Sequence, residues 1–204
     1  SAGVTGALST DVGAGVFVED NNGQLQLTSE FQSVLSEQST ASVILTDSPL
    51  GSGDIEGLNL VIANAGLDAL GGGVTASVTA GYADLSQIST TSEETLTFDV
   101  TENIDLASHD ILNALTNQSI VFANDANAVS YGISDNLSSL YDDTNTANGQ
   151  RSALLNTAIT QDGGLTITVN DSTALSKTTN SNQLAQLNFI AGNANHTGIV
   201  SASI

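Results

Sequence analysis

The chain has no cysteine, tryptophan or methionine, and only two basic residues, Arg151 and Lys177, among 204. Without cysteine there is neither a disulfide framework nor a thiolate metal site, and cysteine pairing says nothing about redox compartment. Two bases cannot form the Lys/Arg patch that nucleic acid or an anionic membrane leaflet requires, so both are excluded as partners. No run of about 18 apolar residues occurs, which excludes an ordinary transmembrane helix. Histidine is limited to His109 and His196, too few to make a zinc site without carboxylates. Against the two bases stand 22 acids, for a net charge of −20. Charged residues are still only 12 % and hydrophobic ones 40 %, a balance that folds rather than that of a disordered acidic tail.

What the chain does have is a recurring phrase. An alternating apolar pair runs into Ser, Thr or Asn followed by an acid, or into an acidic turn, after which the apolar spacing becomes helical. Val16-Phe-Val18 meets Glu19-Asp20-Asn21, and Val43-Ile-Leu45 meets Thr46-Asp47-Ser48. Phe98-Asp-Val100 meets Thr101-Glu102-Asn103, Tyr131-Gly-Ile133 meets Ser134-Asp135-Asn136, and Ile167-Thr-Val169 meets Asn170-Asp171-Ser172. Ala76-Ser-Val78 keeps the alternation but has Ala80 at the acidic place. The markers at 20, 47, 80, 102, 135 and 171 are 27, 33, 22, 33 and 36 residues apart. Such a loose period fits units joined by loops that tolerate insertion.

Two readings compete for the acids. A chain leaving a strand for a helix must satisfy backbone N–H groups, and Ser, Thr, Asp and Asn side chains accept from them. Capping also accounts for the neighbouring hydroxyl and amide residues. The alternative is a set of oxygen ligands for calcium, Asp20, Asp47, Glu102, Asp135 and Asp171, brought to one edge of a repeated sheet. Calcium is the only cofactor the pattern points to, and Asp125, Asp142 and Asp143 are looser candidates of the same kind.

Further along the chain, Asn22-Gly23 between Val16/Val18 and Leu25/Leu27 is a two-residue hairpin signal. SEFQSVLSEQ follows as a helix with Ser29 as its cap. A helix is expected from Asp54, and short ones in YADLSQIS, DNLSSLYDD and QRSALLNTAI. IDLASHDILNALTN is the clearest amphipathic helix, with Ile104, Leu106, Ile111, Leu112 and Leu115 near one side and His109 on the polar side. SNQLAQLNFIAGN is a helix ending at a Gly192 C′ position. SIVFAND, AVSYGIS, GLTITVND and the closing IVSASI are strands. The expected architecture is α/β and β-rich, with strand, turn and short helix repeated around a sheet; a β-sandwich with inserted helices is the alternative. We read residues 1–204 as one domain, with a hairpin and helix in 1–40 and irregular repeats in 41–204.

Catalytic chemistry finds little footing. VTGALSTDVG and LNLVIANAG resemble segments of short-chain dehydrogenases, but that family needs a Tyr with a Lys four residues later, and position 173, four before Lys177, is Thr. The glycine spacing of a dinucleotide loop is absent too. No G-x-S-x-G elbow supports a catalytic triad. An EF-hand centred on Gly23 would put Val18 and Ser29 where Asp and Glu are required.

The repeats VSYGISDNLSSL, TLTFDVTENIDL, LTITVNDSTALS and the pair SNQLAQLNF with GIVSASI resemble repeat regions of very large acidic secreted bacterial proteins, particularly cyanobacterial proteins and related adhesins. The resemblance covers about residues 41–204. It implies export and a non-enzymatic role at the cell surface or outside the cell, in an S-layer, sheath, filament or adhesin, and it names no catalytic residue. The expected partner is the chain itself, as a homo-oligomer or polymer. Ile199, Val200, Ala202 and Ile204 in the terminal strand are the candidate subunit contacts. A carbohydrate- or receptor-binding domain of a bacterial or phage fibre is the alternative, disfavoured by having only three Tyr and five Phe.

Overall fold

The computed structural model describes residues 3–6, 15–37, 42–46, 49–65, 73–90, 94–115, 119–123, 131–162, 165–171, 181–191 and 200–202. Ten strands and seven α-helices lie among them. The strands are β1 (Gly3–Gly6), β2 (Val18–Asp20), β3 (Leu25–Leu27), β4 (Ser42–Leu45), β5 (Val74–Ala80), β6 (Thr95–Val100), β7 (Ser119–Phe122), β8 (Gly132–Asp135), β9 (Thr166–Val169) and β10 (Val200–Ala202). The helices are α1 (Ser29–Glu37), α2 (Ile55–Ala65), α3 (Tyr82–Leu85), α4 (Leu106–Leu115), α5 (Leu137–Leu140), α6 (Ala153–Gln161) and α7 (Ser181–Ala191). The fold is α/β, as the alternation of strand and helix patterns requires. The chain forms two compact units, Ser1–Asp99 with Leu112–Ser119, and Val100–Ile111 with Ile120–Ile204.

Both main sheets keep chain order. The larger has five strands in the order β1-β4-β5-β6-β7, the smaller three in the order β10-β9-β8. The pairs β1/β4, β4/β5, β8/β9 and β9/β10 are parallel. Single bridging residues extend the parallel ladders where a strand has bent toward its helix, Leu50 beside Val78 and Ile104 beside Ile133. Parallel neighbours need long crossovers, and α2, α4 and the α5–α6 pair lie in three of them.

Burial along the strands alternates. In β5, Val74, Ala76, Val78 and Ala80 are buried and the residues between them are not, and β6 buries Leu96, Phe98 and Val100 in the same way. A parallel sheet covered on both faces reads as a continuous apolar run, so this alternation marks one covered face and one that is not. On the covered side of the first unit lie Leu58, Val61 and Ile62 of α2 and Leu85 of α3, all fully buried.

The hairpin expected at Asn22-Gly23 is present, with β2 antiparallel to β3. Asn22 and Gly23 have φ of 59° and 85°, the left-handed pair of a type I′ turn. The strand-turn-helix phrase at Asp20 is therefore a hairpin. Thr28 caps α1, in place of the expected Ser29: its hydroxyl oxygen accepts from Phe31 N at 3.2 Å and donates to the Val16 carbonyl at 2.7 Å. Thr28 wins because its hydroxyl satisfies a carbonyl from the chain beneath as well as the helix amide. That anchors Phe31 edge-on to Phe17, centroids 4.9 Å apart, in the core.

In the second unit Gly132 of β8 lies opposite Thr166 of β9. A Cβ on Gly132 would fall on the Thr166 carbonyl, so this position admits no side chain without parting the strands. Gly132→Ala should destabilise by about 3 kcal/mol in urea unfolding. Gly53→Ala, where a Cβ meets open space, should change stability by no more than about 0.5 kcal/mol. Equal effects at the two sites would contradict the packing described.

Candidate functional site

The turn acids meet helix N-termini, and two of them do so across strands. Asp135 Oδ2 accepts from Leu106 N, the first amide of α4, at 3.1 Å. Asp171 Oδ2 accepts from Leu137 N, the first amide of α5, at 3.0 Å. In both cases the acid closes the strand of the following unit and serves the helix of the preceding one, 29 and 34 residues away. Each helix also has a local cap: Asp105 Oδ1 accepts from Ser108 N at 2.7 Å, and Asn136 Oδ1 from Ser139 N at 3.0 Å. A negative group at a helix N-terminus gains from the macrodipole as well as the hydrogen bond. Asn103 works along the same edge, its Oδ1 accepting from Gly132 N at 3.0 Å.

The remaining candidate acids do other things. Asp20 Oδ1 accepts from Gly23 N within its own hairpin. Glu102 is an exposed residue of the bend after β6. Asp47 and Asp125 lie outside the described residues, as do Ile199 and Ile204. Among the described residues, no group of three or more His, Asp or Glu is placed to hold a metal ion. Helix capping thus accounts for Asp135 and Asp171, and a turn hydrogen bond for Asp20.

Beyond this edge, Tyr141, Asp142, Asp143, Asp171, Gln183 and Gln186 line a cleft of 370 Å³ in the second unit. The Thr144 hydroxyl and amide both donate to Asp142 Oδ1, at 2.7 and 2.9 Å, and hold its carboxyl below the ordinary carboxylate range. Tyr141 stands 6.4 Å from the ring of Phe189, which is 47 % exposed. Arg151 is buried at 6 % exposure, opposite Tyr141 in an antiparallel bridge. One of the two bases is therefore inside the fold.

The uncovered sheet face carries hydroxyls. Thr5, Ile44 and Thr75 lie in register across β1, β4 and β5, and all three are exposed. Farther along, the Thr97 and Ser119 hydroxyls are 3.3 Å apart, and Thr79 donates to Asp99 Oδ2 at 3.4 Å.

His109, expected on the polar side of α4, is buried at 3 % exposure, while Ile111 is 48 % exposed. Leu106, His109 and Leu112 follow one another at three-residue spacing on the buried face. α4 buries Leu106 and Leu112 of the expected apolar face, with Ile104 just ahead of it, and departs from the expectation in taking His109 into that face and leaving Ile111 outside it.

Sequence reasoning missed Asp105 and Thr28 as caps, though each stands three residues before the amide it serves, a local signal that was there to use. It also missed that Asp135 and Asp171 act across strands, for which no local signal exists. No family model, no curated protein and no solved structure matches the chain.

Two outcomes follow for the acids and the histidine. Asp135→Ala and Asp171→Ala should each cost about 1 kcal/mol of stability, and millimolar calcium should leave the melting temperature of the parent chain unchanged; a calcium-dependent rise abolished by either variant would make these acids ligands. Burial pushes His109 below its ordinary pKa of 6.5, against the opposing pull of Asp110. The unfolded chain then binds the proton first, so the stability that His109 contributes is complete above pH 6.5 and is lost as pH falls below it. His109→Leu should flatten that slope in denaturant titrations between about pH 5 and 7; an unchanged slope would assign it to other groups.

Proposed function

We propose that this chain is a non-enzymatic structural module of the cell exterior, a self-associating unit or repeat segment of a surface filament, sheath, S-layer or adhesin. The observation that carries the reading is the succession of parallel strands in chain order, with Asp135 and Asp171 each capping the helix of the strand-helix unit before its own. An architecture built by adding like units side by side is quasi-one-dimensional, and its end strands keep unpaired backbone groups. The strong negative charge keeps such a surface soluble and favours partners that are neutral or reached through backbone pairing. Among the described residues no helix is long and apolar enough to cross a membrane.

A second reading, a carbohydrate- or receptor-binding domain, draws on the cleft where Tyr141 adjoins the carboxylates and carboxamides of Asp142, Asp143, Gln183 and Gln186. Planar polar groups beside an aromatic ring suit sugar hydroxyls and the apolar face of a sugar ring.

Negative-stain electron microscopy of the purified 204-residue chain separates the two. Ordered filaments or sheets, in calcium and in chelator alike, are the expected result. Monodisperse particles that bind saturably on a glycan array, with binding lost in Tyr141→Ala, would replace the structural reading with the second.

A further inference from the structure

Parallel pairing dictates which backbone groups at an edge face outward, because the N–H and C=O of one residue point to one side and those of the next to the other. In the larger sheet Thr46 N donates to the Gly6 carbonyl and Val43 N to the Gly73 carbonyl. Gly6 and Val4 therefore face β4, and the amide and carbonyl of Gly3 and Thr5 face away from it. In the smaller sheet Asn170 N donates to the Asp135 carbonyl, so Thr168 and Asn170 face β8 while Ile167 and Val169 face β10. With Ile167 opposite Val200 and Val169 opposite Ala202, Ser201 faces β9, and the backbone groups of Val200 and Ala202 face outward. Among the described residues no strand flanks β1 or β10 on these sides.

Resting on the self-association reading, we propose that β10 of one copy pairs in parallel with β1 of the next, with Thr5 opposite Ser201. Thr5 N then donates to the Val200 carbonyl, and Ala202 N donates to the Thr5 carbonyl. The two edges are complementary in hand as well as in hydrogen bonding. β10 offers the side on which each strand of its sheet receives its successor, and β1 the side on which each receives its predecessor. Joining them continues the order already seen within each sheet and keeps the helix-covered face on one side. Pairing two successor edges would turn one sheet over. The contact is heterologous, so every copy retains one edge of each kind for the next.

The absence of native cysteine makes the test clean. Facing residues on neighbouring strands have Cα atoms about 4.8 Å apart, within disulfide range. Thr5→Cys and Ser201→Cys chains, mixed and mildly oxidised, should form the mixed disulfide several-fold in excess of either homodimer. Thr5→Pro removes the outward amide but leaves the Gly6–Thr46 bond. It should abolish association in sedimentation velocity while circular dichroism and the melting temperature match the parent. Association without the mixed disulfide, or undiminished in Thr5→Pro, overturns the edge pairing and leaves self-association standing; a parent chain that stays monomeric at every concentration overturns both.

Discussion

A helix that starts beside the end of a parallel strand opens with amides that have no helical partner. The second unit meets this constraint with carboxylates from across the sheet. Asp135 reaches the first amide of α4 and Asp171 that of α5, while Asp105 and Asn136 serve the third amides locally. Division of labour between a local and a borrowed acceptor ties each helix to its own strand and to the next one. The position of β8 relative to α4, and of β9 relative to α5, is fixed by side chains as well as by the strand ladders. Asp135 and Asp171 are thus structural joints, which accounts for the Ser, Thr and Asn residues beside them.

Much of the fold was legible because the relevant signals are local. Phe98-Asp-Val100 and Ile167-Thr-Val169 alternate, and each forms a strand with one buried face. Asn22-Gly23 supplies two left-handed positions and turns a hairpin. Other features depended on partners far along the chain. Nothing near Asp171 shows that its amide partner is Leu137, and nothing near His109 shows that α4 buries its histidine and exposes Ile111. Thr28 took the cap from Ser29 because a carbonyl twelve residues away was within reach. Strand order in the sheets belongs to the same class, since an α/β pattern fixes the repeating unit but not which neighbour each strand selects.

The candidate site is divided in the same manner. Val200 and Ala202 were marked by alternation alone, and the strand they form pairs with β9 within the chain, so that its second edge carries the open groups. Matching this edge to β1, as proposed, required the register of both sheets. On the uncovered face of the larger sheet the exposed Thr5 and Thr75 flank an exposed Ile44.

The two cross-strand caps span 29 and 34 residues, yet they end on the same kind of amide. Connection length is therefore free to drift while the two ends of each joint are not. The chain between helix start and acid holds α4, β7 and β8 in one joint and α5, α6 and β9 in the other, so a longer or shorter connection can be accommodated there. A recombination junction placed inside that span severs a carboxylate from its amide and leaves a bare helix terminus on one parent and a purposeless acid on the other. Lineages that shuffle such units would thus inherit them in overlapping pairs, with the acid of one and the helix of its predecessor exchanged together.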